Sequence, residues 1–277
     1  MISLSHAFSV LSAPSNALGF KLREAWSWSP GVPELEGEPK DDLFLYLSGP
    51  ERRAVAARAD ELRARYTLDD LRDHSRRIDY LENLYLLDAL ERCLPGLRLR
   101  PDARALDVGS KDWSYVFALQ RFCERAGASE LELHGVEVDA RARYLDLTTR
   151  ADVAQAHMNL TGAAQLHYHA GDVVELEQGQ FDLVTWFYPF LTLYPLLRWG
   201  LPARFFRPAD QLAAVRDQLR PGGLLLVFNQ TREEQQELAR LLPPGLRFRS
   251  ARRLTSRLLP YWQRTQDRWA TLLERTR

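Results

Sequence analysis

The sequence predicts an α/β protein built on a doubly wound, mostly parallel sheet, and three observations predict it. Short apolar runs bounded by turn residues alternate with stretches whose apolar residues recur at helical spacing. Three of these runs end in acid or glycine: Leu106-Asp-Val-Gly109, Gly135-Val-Glu-Val-Asp139 and His169-Ala-Gly-Asp172. Right-handed crossovers joining such strand-then-helix units give a parallel sheet, and ligands bind beyond the carboxyl ends of its strands. The acid and glycine ends therefore mark a candidate site as well as a fold.

Taken in order, Met1 to Pro50 mix Ser, Pro and Gly with Trp26, Trp28, Phe44 and Tyr46. This is too aromatic for a disordered linker and too punctuated for one long element, so an irregular segment packed on a neighbour is expected. Glu51 to Tyr66, with Ala54, Val55 and Leu62 among paired Arg and Glu, reads as a solvent-facing amphipathic helix. Ser75 to Leu94 is a stronger helix, striped by Leu81, Leu84, Leu87 and Leu90 and stopped by Pro95-Gly96. Residues 1–75 are thus an irregular and helical extension, and 76–277 the α/β domain.

Within that domain a strand around Ala105 to Val108 precedes a helix carrying Val116, Leu119 and Phe122-Cys123. A second strand, Leu131 to Asp139, leads into a helix from Ala140 to Met158 that Asp139 is placed to cap. Gln165 to Asp172 alternates like a half-exposed strand, and Phe181 to Trp186 is a fourth strand running into the aromatic stretch Phe187 to Leu191. A helix from Pro208 to Leu219, the turn Arg220-Pro-Gly-Gly, the apolar strand Leu224 to Phe228 and a helix from Thr231 to Leu242 follow. Leu246 to Thr255 and Asp267 to Arg275 close the domain as two strands around a loop containing Pro260-Tyr-Trp262.

The 277 residues carry 37 basic and 37 acidic side chains, so no global field draws the chain to nucleic acid or membrane. Nine arginines in residues 246–277 oppose only Asp267 and Glu274. They either steer an anion or blunt the edge of the sheet against pairing. Cys93 and Cys123 sit in helical patterns with no C-x-x-C or His/Cys cluster, which predicts buried free thiols. No run is apolar for a membrane-spanning length, and a cytoplasmic protein is expected. G-x-G-x-x-G and G-x-S-x-G are both absent, which disfavours a dinucleotide-dependent dehydrogenase and a serine hydrolase.

Together, Leu106-Asp-Val-Gly109, Gly135-Val-Glu137, Gly171-Asp172, Phe181-Asp-Leu-Val184 and Leu219-Arg-Pro-Gly-Gly223 resemble the class I S-adenosylmethionine-dependent methyltransferases over roughly Ile78 to Arg275. The resemblance implies a Rossmann-like seven-stranded sheet whose last strand is antiparallel, and S-adenosylmethionine as cofactor. It places Asp107 and Gly109 beside the amino-acid part of the cofactor, and Glu137 on the two ribose hydroxyls. It places Asp172 and Val173 at the adenine, and Trp186 on the cofactor wall. A carboxylate suits two vicinal hydroxyls, because its two oxygens accept in matching geometry. This turn departs from the family pattern by carrying Lys111 and Trp113 where later glycines are usual. Either Ser110 or Lys111 pairs with the cofactor carboxylate, or Lys111 is solvated.

Methyl transfer from a sulfonium is an in-line displacement that needs positioning and exclusion of water more than acid or base groups. Phe187, Tyr188 and Phe190 are candidate walls of the acceptor pocket, with Tyr188 the one candidate for a catalytic group; the alternative for the phenylalanines is core packing. The segment does not read Asn-Pro-Pro-Tyr or Asp-Pro-Pro-Tyr, which disfavours the amines of bases or glutamine and leaves a small-molecule acceptor. His167 and His169 share a strand face, but no third ligand is near in sequence, so no metal site is assigned. Two readings stand, an active methyltransferase and a methyltransferase-like binding or scaffold protein with a degenerate glycine turn.

Overall fold

A computed structural model describes residues 4–259 and 267–276, with side chains from residue 12 onward. The loop expected around Pro260-Tyr-Trp262 lies outside the described residues. The chain runs α1 (Leu4–Ala25), α2 (Gly49–Tyr66), α3 (Asp69–Asp73), α4 (Arg77–Cys93), β1 (Arg104–Val108), α5 (Val116–Arg125), β2 (Glu132–Glu137) and α6 (Arg150–Thr161). It continues with β3 (Leu166–Ala170), β4 (Phe181–Phe187), α7 (Leu193–Arg198), α8 (Pro208–Gln218), β5 (Leu219–Asn229), α9 (Arg232–Arg240), β6 (Leu246–Arg253) and β7 (Trp269–Arg275).

The strands form one seven-stranded sheet in the order β3-β2-β1-β4-β5-β7-β6. Strands β1 to β5 pair in parallel, whereas β7 runs antiparallel to both of its neighbours. Because alternate residues face opposite sides, Ala105, Leu133, Leu183, Leu226 and Phe228 pack under α4, α5 and α6. Leu106, Val108, Val136, Val184 and Trp186 pack on the other face with Leu212 and Val215 of α8 and Leu238 of α9. Helices thus cover both sheet faces, as a doubly wound α/β fold requires. Leu62 and Tyr66 of α2, with Leu68 and Leu71, belong to the first of these cores. Both cysteines are free and buried.

The structure departs from the sequence expectations in four places. Residues 4–25 are a single helix instead of an irregular segment, although Pro14 lies inside it. Tertiary contacts override the ~3 kcal/mol cost of an internal proline. Phe20 is buried against Leu196, Leu197 and Leu201, and the Asn16 amide donates to the carbonyls of Leu197 (2.8 Å) and Leu201 (3.2 Å). Second, α6 begins at Arg150 and not at Ala140, because Thr149 and Asp152 form a reciprocal capping box there. Asp139 is not a cap; its carboxylate binds Arg23 of α1 at 3.0 Å and Arg150 at 3.5 Å. Third, Arg220-Pro-Gly-Gly lies inside β5 as a register shift against β4. Fourth, α7 was not anticipated, being too short and too aromatic to show a period.

Helix α4 is bolted to the turn after β1 by one fully buried amide. Asn83 Nδ2 donates to the carbonyls of Asp79 and Ser114, both at 2.8 Å, and its Oδ1 accepts from Ala118 N at 3.0 Å. Asn83→Ala leaves an N–H and a carbonyl buried without partners and should lower stability by about 2–3 kcal/mol. The measurement is the shift of the urea midpoint at unchanged m-value.

Candidate active site

The chain passes from β1 outward to β3 and then back to β4 on the other side of β1, so the carboxyl ends of β1 and β4 diverge at a topological switch point. A cavity of about 880 Å³ opens there, within the ~300–1,000 Å³ range of small-molecule sites. Gly109, Lys111, Glu137, Asp172, Val173, Trp186, Phe187, Tyr188 and Phe190 all line it. The sequence-derived candidates Asp107 and Ser110 are not among the lining residues; both are buried beneath the turn.

The turn from Gly109 to Trp113 holds its shape without further glycines. Gly109, Lys111 and Trp113 have φ of 73°, 54° and 49°, a left-handed region that costs a non-glycine residue about 1 kcal/mol or more. Three contacts offset this cost. Lys111 N donates to Glu137 Oε2 at 2.9 Å, the Tyr168 hydroxyl donates to the Lys111 carbonyl, and Trp113 N donates to Ser110 O at 2.8 Å. The Trp113 indole is fully buried and lies over Gly135 of β2, where an added Cβ would stand 2.9 Å from its ring. One glycine has in effect moved from the turn to the strand beneath it. A Cβ at Gly109 would meet nothing within 4 Å, so its missing side chain keeps the cavity floor open.

Glu137 closes β2 and is nearly fully buried. Its Oε2 accepts from Lys111 N and its Oε1 from Asp139 N at 2.8 Å, with Arg150 3.4 Å from Oε1. Burial raises its pKa; Arg150 and the two backbone N–H groups oppose the rise. An ionised carboxylate has about four acceptor positions, so capacity remains for ligand hydroxyls. Asp172 caps the turn after β3 through Val174 N (3.1 Å) and binds Arg207 at 2.8 Å. Lys111 Nζ lies 3.3 Å from Asp112 Oδ2.

Asp107 works below the site. Its two oxygens accept from the Thr185 hydroxyl (2.7 Å) and the Tyr115 hydroxyl (2.9 Å), tying β1 to β4 and to the turn. Complete burial pushes its pKa from the ordinary 3.8 to about 7, against the lowering effect of these hydroxyls.

Several lining residues escaped the sequence reading. Glu82, Tyr85 and Leu86 come from α4, and Tyr194, Pro195, Arg198 and Trp199 from α7 and its end. Glu82 is half-buried; desolvation raises its pKa, and it accepts a 2.8 Å hydrogen bond from the Ser114 hydroxyl. The only signal for it was an acid within the striped helix. For α7 the signal was the run of aromatic residues itself. Tyr188, at φ 58°, is held by its N–H donating to Phe228 O at 2.8 Å, and Arg268 lies 5.2 Å from its ring centre. Burial raises the Tyr188 pKa, so the phenol stays protonated and serves as a donor.

No protein-family model matches the chain, and no curated protein matches it. Among solved structures it is similar to TrmN from Thermus thermophilus, at 16% identity and a TM-score of 0.50, over 94% of this chain and 78% of that one. The N-methyltransferase NodS from Bradyrhizobium japonicum WM9, in complex with S-adenosyl-l-homocysteine, aligns at 12% identity and a TM-score of 0.47, over 79% of this chain and 99% of that one. A SAM-dependent methyltransferase from Aquifex aeolicus aligns at 12% identity and a TM-score of 0.48, over 70% and 93%. The sheet order, the reversed β7 and the likeness to TrmN define the Rossmann-like fold of the class I methyltransferases.

Asp107 makes stability depend on pH. Unfolding lets it release a proton near 3.8, whereas the fold retains that proton to about 7. The native state therefore binds more protons between these values, and stability falls as pH rises through that window. Because buried histidines such as His134, lowered to about 4, act in the opposite sense, the expected outcome is a difference: the urea midpoint of the wild type relative to that of Asp107→Asn, neutral throughout, should fall as pH rises from about 4 to about 8.

Proposed function

We propose that the protein is a methyltransferase that uses S-adenosylmethionine and methylates a small molecule. The observation that carries this reading is that Gly109, Glu137 and Asp172, from the ends of three neighbouring strands, line one cavity together with Trp186, Phe187, Tyr188, Phe190, Tyr194 and Trp199. Gly109, Glu137, Asp172, Val173 and Trp186 would hold the cofactor, which supplies an electrophilic methyl group when bound. The open floor at Gly109 and the spare acceptor capacity of Glu137 fit that group. Lys111 and Trp113 keep left-handed backbone where glycines are usual, which favours a working turn over a degenerate one.

The chain's own residues then orient an acceptor and keep water away from it. Phe187, Tyr188, Phe190, Tyr194 and Trp199 wall the acceptor side, and flat rings favour both a planar acceptor and positive charge. The Tyr188 hydroxyl is available as a donor, and the half-buried Glu82 carboxylate as an acceptor for a proton leaving the acceptor atom. A small molecule is supported over nucleic acid because arginines near the C-terminus are engaged internally. Arg247 and Arg249 bind Glu274, and Arg253 binds Asp267. No helix among the described residues is long and apolar enough to cross a membrane. The two free buried thiols suit a reducing compartment such as the cytoplasm.

Calorimetric titration with S-adenosylhomocysteine tests the reading, with NAD as the control that should give no heat. Glu137→Ala removes both ribose acceptors and should weaken S-adenosylhomocysteine by about 1.5–3 kcal/mol, the scale of hydrogen bonds to charged groups. Absence of binding to the folded wild-type chain would refute the cofactor assignment.

A further inference from the structure

Away from the cavity, the β2–β3 edge of the sheet gathers three imidazoles and a carboxylate on one face. Parallel pairing sets His134 beside His167 and Val136 beside His169. The two-residue period then brings Glu132, His134, His167 and His169 to the same side. His134 Nε2 lies 2.7 Å from Glu132 Oε1, and His134 Nδ1 lies 2.8 Å from His169 Nε2. The rings of His134 and His169 stack with 4° between their planes, and those of His134 and His167 have centres 4.8 Å apart. One donor atom from each of Glu132, His134 and His167 lies within 4.8 Å of the other two. The ligands that His167 and His169 lack in sequence come from the neighbouring strand.

We propose that Glu132, His134 and His167 form a divalent transition-metal site suited to Zn²⁺, with His169 orienting His134 through its second ring nitrogen. Two imidazoles and a carboxylate are a zinc donor set with a fourth position open to water. Ligands at ~2.0–2.2 Å from zinc stand about 3.4 Å from one another in a tetrahedron, so the widest donor pair must close by no more than about 1.4 Å and the 2.7 Å Glu132–His134 pair must open by about 0.7 Å. The exposed His167 can supply that movement by side-chain rotation. The buried His134 is already held, edge-on to Phe181 with ring centres 5.3 Å apart. Metal on His134 Nε2 displaces the proton shared with Glu132, and Nδ1–H then donates to His169 Nε2, the outer-shell bond that metal-bound histidines usually make.

Arg104 is the opposing group. Its guanidinium donates to Glu132 Oε2 at 2.9 Å and lies 3.4 Å from His134 Nε2, so it orients the carboxylate and also lowers affinity for a cation. Strand β3 is an edge strand paired only with β2. Coordination across the pair would fix its register, and with it the Gly171-Asp172 turn at its far end.

The test uses the full chain without a histidine tag, stripped with a chelator and titrated calorimetrically with Zn²⁺, then with Co²⁺ for its visible absorption bands. One equivalent should bind. His167→Ala and Glu132→Gln should weaken binding by more than ~100-fold and abolish the Co²⁺ bands, whereas His169→Asn should cost ~10–100-fold, the range for an outer-shell partner. Circular dichroism checks that the variants fold. No binding to the wild type, or an affinity that both His167→Ala and Glu132→Gln leave unchanged, would overturn the site. A Mg²⁺ response equal to that of Zn²⁺ would overturn it too, because it would assign the heat to surface carboxylates.

Discussion

The hydrogen bond from Lys111 N to Glu137 Oε2 joins the two halves of the site, because it fixes the turn after β1 and the carboxylate after β2 in one act. Without it, the left-handed backbone at Lys111 would keep only the Tyr168 hydroxyl on its carbonyl as compensation, and Glu137 would lose one of the two backbone N–H groups that oppose the effect of its burial. Glu137 in turn draws in Arg150 at the start of α6, and Arg150 shares Asp139 with Arg23 of α1. A single buried acid thus orders the turn, the long loop after β2 and the last turns of the first helix.

That chain of contacts explains why the N-terminal helix takes part in a site built by an α/β domain. Helix α1 touches α7 through Phe20 and Asn16, and α7 brings Tyr194 to the cavity that Gly109 and Glu137 also line. A six-residue helix has little stability of its own. Its position over the cavity depends on the helix packed behind it, which itself contains a proline. Both elements are therefore held by tertiary contacts more than by propensity.

Strand identity was legible because buried parallel strands announce themselves as short apolar runs between turn residues, and six of the seven expected strands have both ends within two residues of the observed ones, the exception being the start of β5. Residue pattern also found the ends of β1 to β4, hence Gly109, Glu137, Asp172 and Trp186 on the cavity wall. What local pattern cannot carry is orientation and partnership. Asp107 and Ser110 have neighbours that do line the cavity, but in a pleated strand and a tight turn adjacent residues point opposite ways, and these two point inward. Asp139 looked like a cap because it follows a strand and precedes helix-forming residues. Its real partners, Arg23 and Arg150, are decided by packing. Glu82 and α7 were missed for the same reason.

The two edges of the sheet are protected by different chemistry, and the difference bears on what each can do. At the β6 edge Arg247 and Arg249 converge on Glu274 of β7, so charge is neutralised within the strand pair and pairing with another chain is resisted by solvated arginine. At the β3 edge no such arginine ladder exists among the described residues; imidazoles fill the face instead, and only Arg104 from the interior strand brings a cation near them. Imidazoles blunt an edge less strongly than arginine does, but they offer lone pairs that arginine cannot. An edge strand that leads into Asp172 gains from being held in register, since a shift of one residue would displace that carboxylate from the cavity. The histidine face is thus the weaker guard against aggregation and the better anchor for the site.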